Sequence, residues 1–218
     1  MSELPAIYVV DDDASVREAL SNLFESVGLR AAVFDSTEAF LEVARPDVPS
    51  CLVLDVRLPG VGGLEFQEHL HRRRVRIPIV FITAHGDIPM TARAIKGGAI
   101  EFLAKPFQKD DLLAAVYQAL DRDRALRIEE RALAALRARF ETLTLREREV
   151  MQLVAGGMAN KEVAARLGVA EITIKVHRGQ VMRKMNAGSL AELVRMVDRL
   201  TPAPRPASGP TRGTYTKE

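Results

Sequence analysis

The sequence has a single cysteine, Cys51, and no tryptophan. One cysteine excludes an internal disulfide, so a reducing, cytoplasmic setting is expected. No apolar run reaches the ~18 residues that a membrane helix needs. The opening MSELPAIYVVDDD ends its short apolar stretch in three acids, unlike a signal peptide or an anchor, so no membrane partner is expected. A strong overall charge is also missing: the net is +2 over 218 residues. What remains, 47% hydrophobic and 28% charged, is the balance of an ordinary globular protein with room for one large domain or two small ones.

The small net charge hides an asymmetry. Residues 1–120 hold 12 Lys+Arg against 17 Asp+Glu, whereas residues 121–218 hold 19 against 12. An acidic half joined to a basic half suggests two tasks, the second involving nucleic acid.

Short apolar runs punctuate the first half: Ile7–Val10, Ala31–Phe34, Cys51–Leu54, Ile79–Ile82 and Ile100–Leu103. Most lack polar alternation, as strands buried on both faces do. Helical patterns separate them. Val16, Leu20, Leu23, Phe24 and Val27 recur at helical spacing before Gly28, Ser36 can cap the next helix, and others span Leu64 to Arg73 and Pro89 to Lys96. Strands alternating with helices predict a doubly wound parallel sheet in the order 2-1-3-4-5. From Asp110 to about Arg139 glycine and proline are absent, which predicts one helix of roughly 45 Å. Its Leu126, Leu133 and Phe140 fall seven apart with Leu136 between, the spacing of a coiled-coil seam or of a solvated linker.

The second half reads as four helices. Thr144 and Glu147 match a capping box, and Gly156-Gly157 ends that helix. Others run from Asn160 to about Leu167, from about Glu171 to Met185, and from Ser189 to about Leu200. The tail TPAPRPASGPTRGTYTKE, rich in proline and poor in apolar residues, is expected to be disordered.

In a sheet of this order, strands one, three, four and five are neighbours, and ligands bind beyond their carboxyl ends. Asp11, Asp12 and Asp13 follow the first, Asp55 the third, Thr83 the fourth and Lys105 the fifth. Clustered carboxylates need a cation, and their oxygens suit Mg²⁺ or Mn²⁺. A carboxylate can accept a phosphoryl group, while an ammonium and a hydroxyl pair with its oxygens.

With those residues in place, YVVDDD, LVLDVRLPGVGG, IVFITAHGD and EFLAKPF resemble the receiver domain of two-component response regulators over residues 5–122. The resemblance implies that Asp55 accepts phosphate from a sensor histidine kinase. It implies a metal held by Asp11, Asp12, Asp55 and the backbone carbonyl of Arg57. Thr83, Lys105 and Phe102 take the switch positions, and His85 is placed to influence the phosphate's lifetime. A haloacid-dehalogenase-type phosphohydrolase would also form an aspartyl phosphate; the acids after the first strand allow it, but its cap insertion is missing.

In the second half, the helices on either side of Gly168-Val169 have helix-turn-helix spacing. Ile174, His177, Val181 and Met185 read as the inner face of the third helix. Lys175, Val176, Arg178, Gly179, Met182 and Arg183 read as its outer face, suited to the major groove. Residues 143–197 resemble the LuxR-type helix-turn-helix. By that resemblance Asn160, Lys161 and Thr173 contact phosphates of double-stranded promoter DNA. Lys175, Val176 and Gly179 hold base-reading positions, with Arg178 and Arg183 nearby. Leu190, Leu193, Val194 and Val197 hold the usual dimer contact. Ala170 stands where a capping Ser or Thr is common.

A receiver with this helix-turn-helix resembles the NarL/FixJ class, nearest FixJ-like and styrene-degradation-type regulators. The expected organisation is a receiver at 1–122, a helical linker at 123–141, a DNA-binding domain at 142–200 and a tail at 201–218. A phosphorylation-promoted homodimer and contact with RNA polymerase are further expectations. A DNA-binding protein indifferent to phosphate remains an alternative.

Overall fold

A computed structural model describes residues 4–84 and 86–201. The expectations for His85 and for the tail beyond Thr201 lie outside the described residues. Two compact units are present, up to Glu129 and from Glu130 onward.

The first unit alternates strands and helices: β1 (Ala6–Val10), α1 (Ala14–Ser26), β2 (Arg30–Phe34), α2 (Thr37–Glu42), β3 (Ser50–Asp55), α3 (Gly63–Arg72), β4 (Ile79–Thr83), α4 (Ile88–Lys96) and β5 (Glu101–Ala104). The strands form one parallel sheet in the expected order, β2-β1-β3-β4-β5. Because side chains alternate across a strand, β1 and β3 supply both layers of core. Ile7, Val9, Cys51 and Val53 meet Leu20, Phe24, Leu112 and Val116 on one face. Tyr8, Val10, Leu52 and Leu54 meet Phe40, Phe66 and Leu70 on the other. Each such side chain, fully buried, contributes roughly 1.5–3 kcal/mol. Burial also pushes the Cys51 thiol far above its usual range, which leaves it a core residue.

Burial on both faces applies to β1, β3 and β4 only. The edge strands β2 and β5, each with a single neighbouring strand, hold only exposed and half-buried positions.

α5 runs unbroken from Lys109 to Glu141. It is followed by α6 (Leu145–Ala155), α7 (Asn160–Leu167), α8 (Glu171–Met185) and α9 (Leu190–Leu200). The end of α5 is part of the second unit's core: Leu136 is buried and Phe140 half-buried beside Leu143, Met151, Val181, Met185 and Leu193. Of the residues with coiled-coil spacing, Phe140 and the intervening Leu136 thus face the chain's own helices. Leu193 and Val197 of α9 also pack there, so within the chain they serve the core, while Leu190 stays exposed.

Candidate functional site

Asp55 is the last residue of β3, with Asp11 just past β1 and Thr83 closing β4. All three are buried, Asp11 and Thr83 completely. Lys105 follows β5 and reaches across the strand ends. Its Nζ lies 2.6 Å from Asp11 Oδ2 and 3.5 Å from Asp55 Oδ2. Oxygens of Asp11, Asp12 and Asp55 all lie within 4.8 Å of one another. Burial pushes the Asp55 carboxyl above its ordinary range; the Lys105 ammonium and the Arg57 N–H oppose that, and Asp11 adds to it. The Arg57 N–H donates to Asp55 Oδ1 at 3.3 Å. Three carboxylates of hard oxygen donors, two of them buried around one ammonium, fit a Mg²⁺ or Mn²⁺ ion well.

Three contributors escaped the sequence reading. Arg17, on α1, donates from Nη1 to the carbonyl oxygens of Asp11 at 2.7 Å and Asp12 at 2.9 Å, and so holds the acidic loop. Gly63 packs against the Asp55 backbone so closely that a β carbon would stand 2.3 Å from its carbonyl oxygen. Gly86 faces the ring of Phe102, where a β carbon would stand 2.7 Å from the ring edge. Neither glycine's constraint has a local signal, because it arises from a segment far along the chain. Asp13 caps α1: its Oδ1 accepts from the Ser15 N–H at 2.8 Å and hydroxyl at 2.6 Å. Phe102 is half-buried, its ring centroid 6.3 Å from that of Phe81.

In the second unit, α7 ends at Gly168 in left-handed backbone, φ 66°, which turns the chain into α8. Val163, Ala164 and Ile174 bury the contact between these helices. Lys175, Val176, Gly179 and Arg183 are exposed along α8, as is Lys161 on α7. Arg178, Asn160 and Thr173 are half-buried, and Arg178 Nη1 donates to Asn160 Oδ1 at 3.1 Å. Lys175 pairs with Glu171 at 3.3 Å, one turn back. Met182 departs from its expected outward face and packs half-buried into the core, as does Ala187. His177 is half-buried rather than fully inside. Ala170 occupies the N-cap of α8 without a side-chain hydrogen bond.

Residues 7–117 match the response regulator receiver domain, and residues 141–197 match the bacterial regulatory proteins of the luxR family. The chain is 57% identical over 194 residues to nodulation protein W of Bradyrhizobium diazoefficiens, spanning 89% of this chain and 86% of that one. It is 45% identical over 194 residues to the response regulator protein TmoT of Ectopseudomonas mendocina, spanning 89% and 88%. Among solved structures, that of the response regulator StyR is similar with a TM-score of 0.81 at 50% identity, covering 90% of this chain and all 100% of that one. The chain is a two-component response regulator of the NarL/FixJ type.

Membership has consequences. The regulator joins a receiver to a LuxR-type DNA-binding module, and that membership implies partnership with a cognate histidine kinase and promoter DNA. It is a regulator, not a turnover enzyme, which removes the phosphohydrolase alternative. Among the described residues no helix is long and apolar enough to cross a membrane.

Proposed function

We propose that Asp55 accepts a phosphoryl group from a phosphohistidine of the partner kinase, and that this modification controls promoter binding through α8. The observation that carries the reading is the meeting of Asp11, Asp55, Thr83 and Lys105 at adjacent strand ends in a chain that continues into a helix-turn-helix. An Asp55 carboxylate oxygen attacks phosphorus, the P–N bond breaks as the P–O bond forms, and the imidazole leaves with its electron pair and takes a proton. Water later attacks the acyl phosphate, releases inorganic phosphate and restores the carboxylate. Asp11, Asp12, Asp55 and the Arg57 carbonyl hold Mg²⁺ or Mn²⁺. Such a cation supplies charge neutralisation to the phosphoryl oxygens. Lys105 pairs with one of those oxygens and the Thr83 hydroxyl donates to another.

The phosphoryl group adds roughly −1.5 to −2 charges to a buried acidic cluster, which shifts the receiver between two populations. Thr83 moves toward the phosphate and Phe102 turns into the space it leaves. The altered α4–β5–α5 surface favours a homodimer. Lys175, Val176 and Gly179 then read bases, with Arg178 and Arg183 beside them, while Asn160, Lys161 and Thr173 contact phosphates. In this scheme residues 1–122 are the receiver, 123–141 the linker and 142–200 the DNA-binding domain. RNA polymerase is a further partner of the bound dimer.

The test uses the full chain, a small phosphodonor with Mg²⁺, and its promoter. Wild type should gain one phosphoryl group, dimerise and bind DNA more tightly, while Asp55→Asn should do none of these. An Asp55→Asn protein that binds as tightly as phosphorylated wild type overturns the coupling. Lys175→Ala should lose about 1–3 kcal/mol of specific binding. Unchanged affinity removes Lys175 from the reading face.

A further inference from the structure

The acidic site occupies the carboxyl ends of the strands, and the opposite end of the receiver carries charge of the other sign. The segment His71-Arg72-Arg73-Arg74-Val75-Arg76 leads into β4 within a half that is otherwise acidic. Beside it, at the amino ends of β3 and β4, lies a cavity of about 350 Å³ lined by Arg45, Arg74, Arg76 and Arg127, with Asp47 among them. That size lies at the small end of the range for ligand pockets, roughly 300–1,000 Å³.

Arg127 and Arg45 have fixed supports. Arg127, on α5, donates from Nε to Asp123 Oδ2 at 2.6 Å and from Nη1 to Asp47. The Asp123 carboxylate is itself buried and also accepts the Ser50 N–H at 2.8 Å. Arg45 lies over the Phe40 ring, 5.1 Å from its centroid. Arg74 stands in left-handed backbone, φ 57°, where the chain turns out of α3. Three segments distant in sequence therefore bring cations to one concavity. Holding an arginine in place beforehand lowers the ordering cost of binding.

We propose that this arginine-lined cavity binds a compact anion carrying two or more phosphoryl groups, such as inorganic pyrophosphate or a nucleoside diphosphate. The guanidinium fork matches phosphate oxygens through paired, charge-assisted hydrogen bonds. Arg45 and Arg74 present exposed guanidinium groups to the same small volume as Arg127, whose Nε and Nη1 already serve Asp123 and Asp47, so an anion bound there needs acceptor oxygens on several sides and enough charge to compete with Asp47. Linked phosphoryl groups supply both, whereas a single carboxylate supplies two oxygens and one charge. Occupancy ties the approach to β3, the α3–β4 turn and α5 together, so it stabilises the receiver. The site lies at the other end of the sheet from Asp55, and its occupancy is independent of phosphorylation there.

Calorimetric titration of the full chain with inorganic pyrophosphate, at a fixed ionic strength of about 0.15 M and without divalent metal, tests this. Saturable one-to-one binding is expected, weakened roughly tenfold or more in Arg45→Ala and in Arg74→Ala. Both side chains are exposed, so these variants should stay folded without the anion, Arg45→Ala losing only its contact with the Phe40 ring. Asp55→Asn should bind pyrophosphate as wild type does, and Arg45→Lys should fall between wild type and Arg45→Ala. Absence of saturable binding, or equal binding by the alanine variants, overturns the proposal. Citrate or sulfate binding as tightly as pyrophosphate also overturns it, because the cavity would then be a general basic surface.

Discussion

A β carbon on Gly63 would stand 2.3 Å from the carbonyl oxygen of Asp55 and 3.0 Å from the α carbon of Val56. Both neighbours are backbone, so neither can swing aside. The start of α3 is thereby packed directly against the end of β3, the Gly63 N–H bonding Val56 O at 3.0 Å. Gly63→Ala should therefore push the two apart, destabilise the receiver by about 1–3 kcal/mol and slow phosphorylation by a small phosphodonor. Denaturant unfolding and phosphoryl incorporation, measured together, check it. Wild-type values for both would mean that the contact yields easily.

Gly86 and Phe102 form a second close pair, but there the obstacle is a side chain. A β carbon at position 86 would lie 2.7 Å from the Phe102 ring and 3.4 Å from Thr83 Cγ2. The ring can rotate away, so Gly86→Ala should change stability by less than about 1 kcal/mol. It should displace Phe102 from its present half-exposed position and raise dimerisation and DNA binding in the unphosphorylated protein. Sedimentation and gel-shift titration of the unphosphorylated variant check this; wild-type behaviour would remove Phe102 from the switch.

Glu147 links three parts of the second unit. Its Oε2 accepts from the Thr144 N–H at 2.8 Å and from Lys184 Nζ at 2.7 Å, and the carboxylate is only 6% exposed. Burial pushes its pKa up, but the bonds from Lys184 and Thr144 outweigh that and hold it below the ordinary glutamate range. A pKa lowered on folding gives stability that is complete above the unfolded value, about 4.3, and is lost as pH falls through the folded one. The stability gap between wild type and Glu147→Gln should thus be wide at neutral pH and shrink below about pH 4. Thermal unfolding across that range measures it, and a gap independent of pH would contradict the assignment.

Ala170 has the backbone of a helix cap, φ −69° and ψ 147°, without a side chain able to cap. Ala170→Ser should supply the missing acceptor and stabilise the second unit by about 1 kcal/mol. Unfolding of both proteins by denaturant checks it, and no gain would mean that the α8 start finds another partner.

Most of this protein's framework was readable along the chain. Strand runs and helix periods are local properties, and the alternation of the two implied the sheet order, which in turn implied that Asp11, Asp55, Thr83 and Lys105 would meet. The capping pair Thr144 and Glu147 was equally local. Period alone, however, says which residues share a face and not what that face meets. Leu136 and Phe140 fit a seam between two chains as well as a core within one, and only the packing of α5 against Leu143, Met151 and Val181 decided for the core. Met182 turned inward for the same reason. The demand for glycine at positions 63 and 86, the grip of Arg17 on the acidic loop, and the gathering of Arg45, Arg74 and Arg127 around one cavity also came from tertiary structure. Each depends on the distance between segments that are separate in sequence, which closure of the fold determines and which no local pattern encodes.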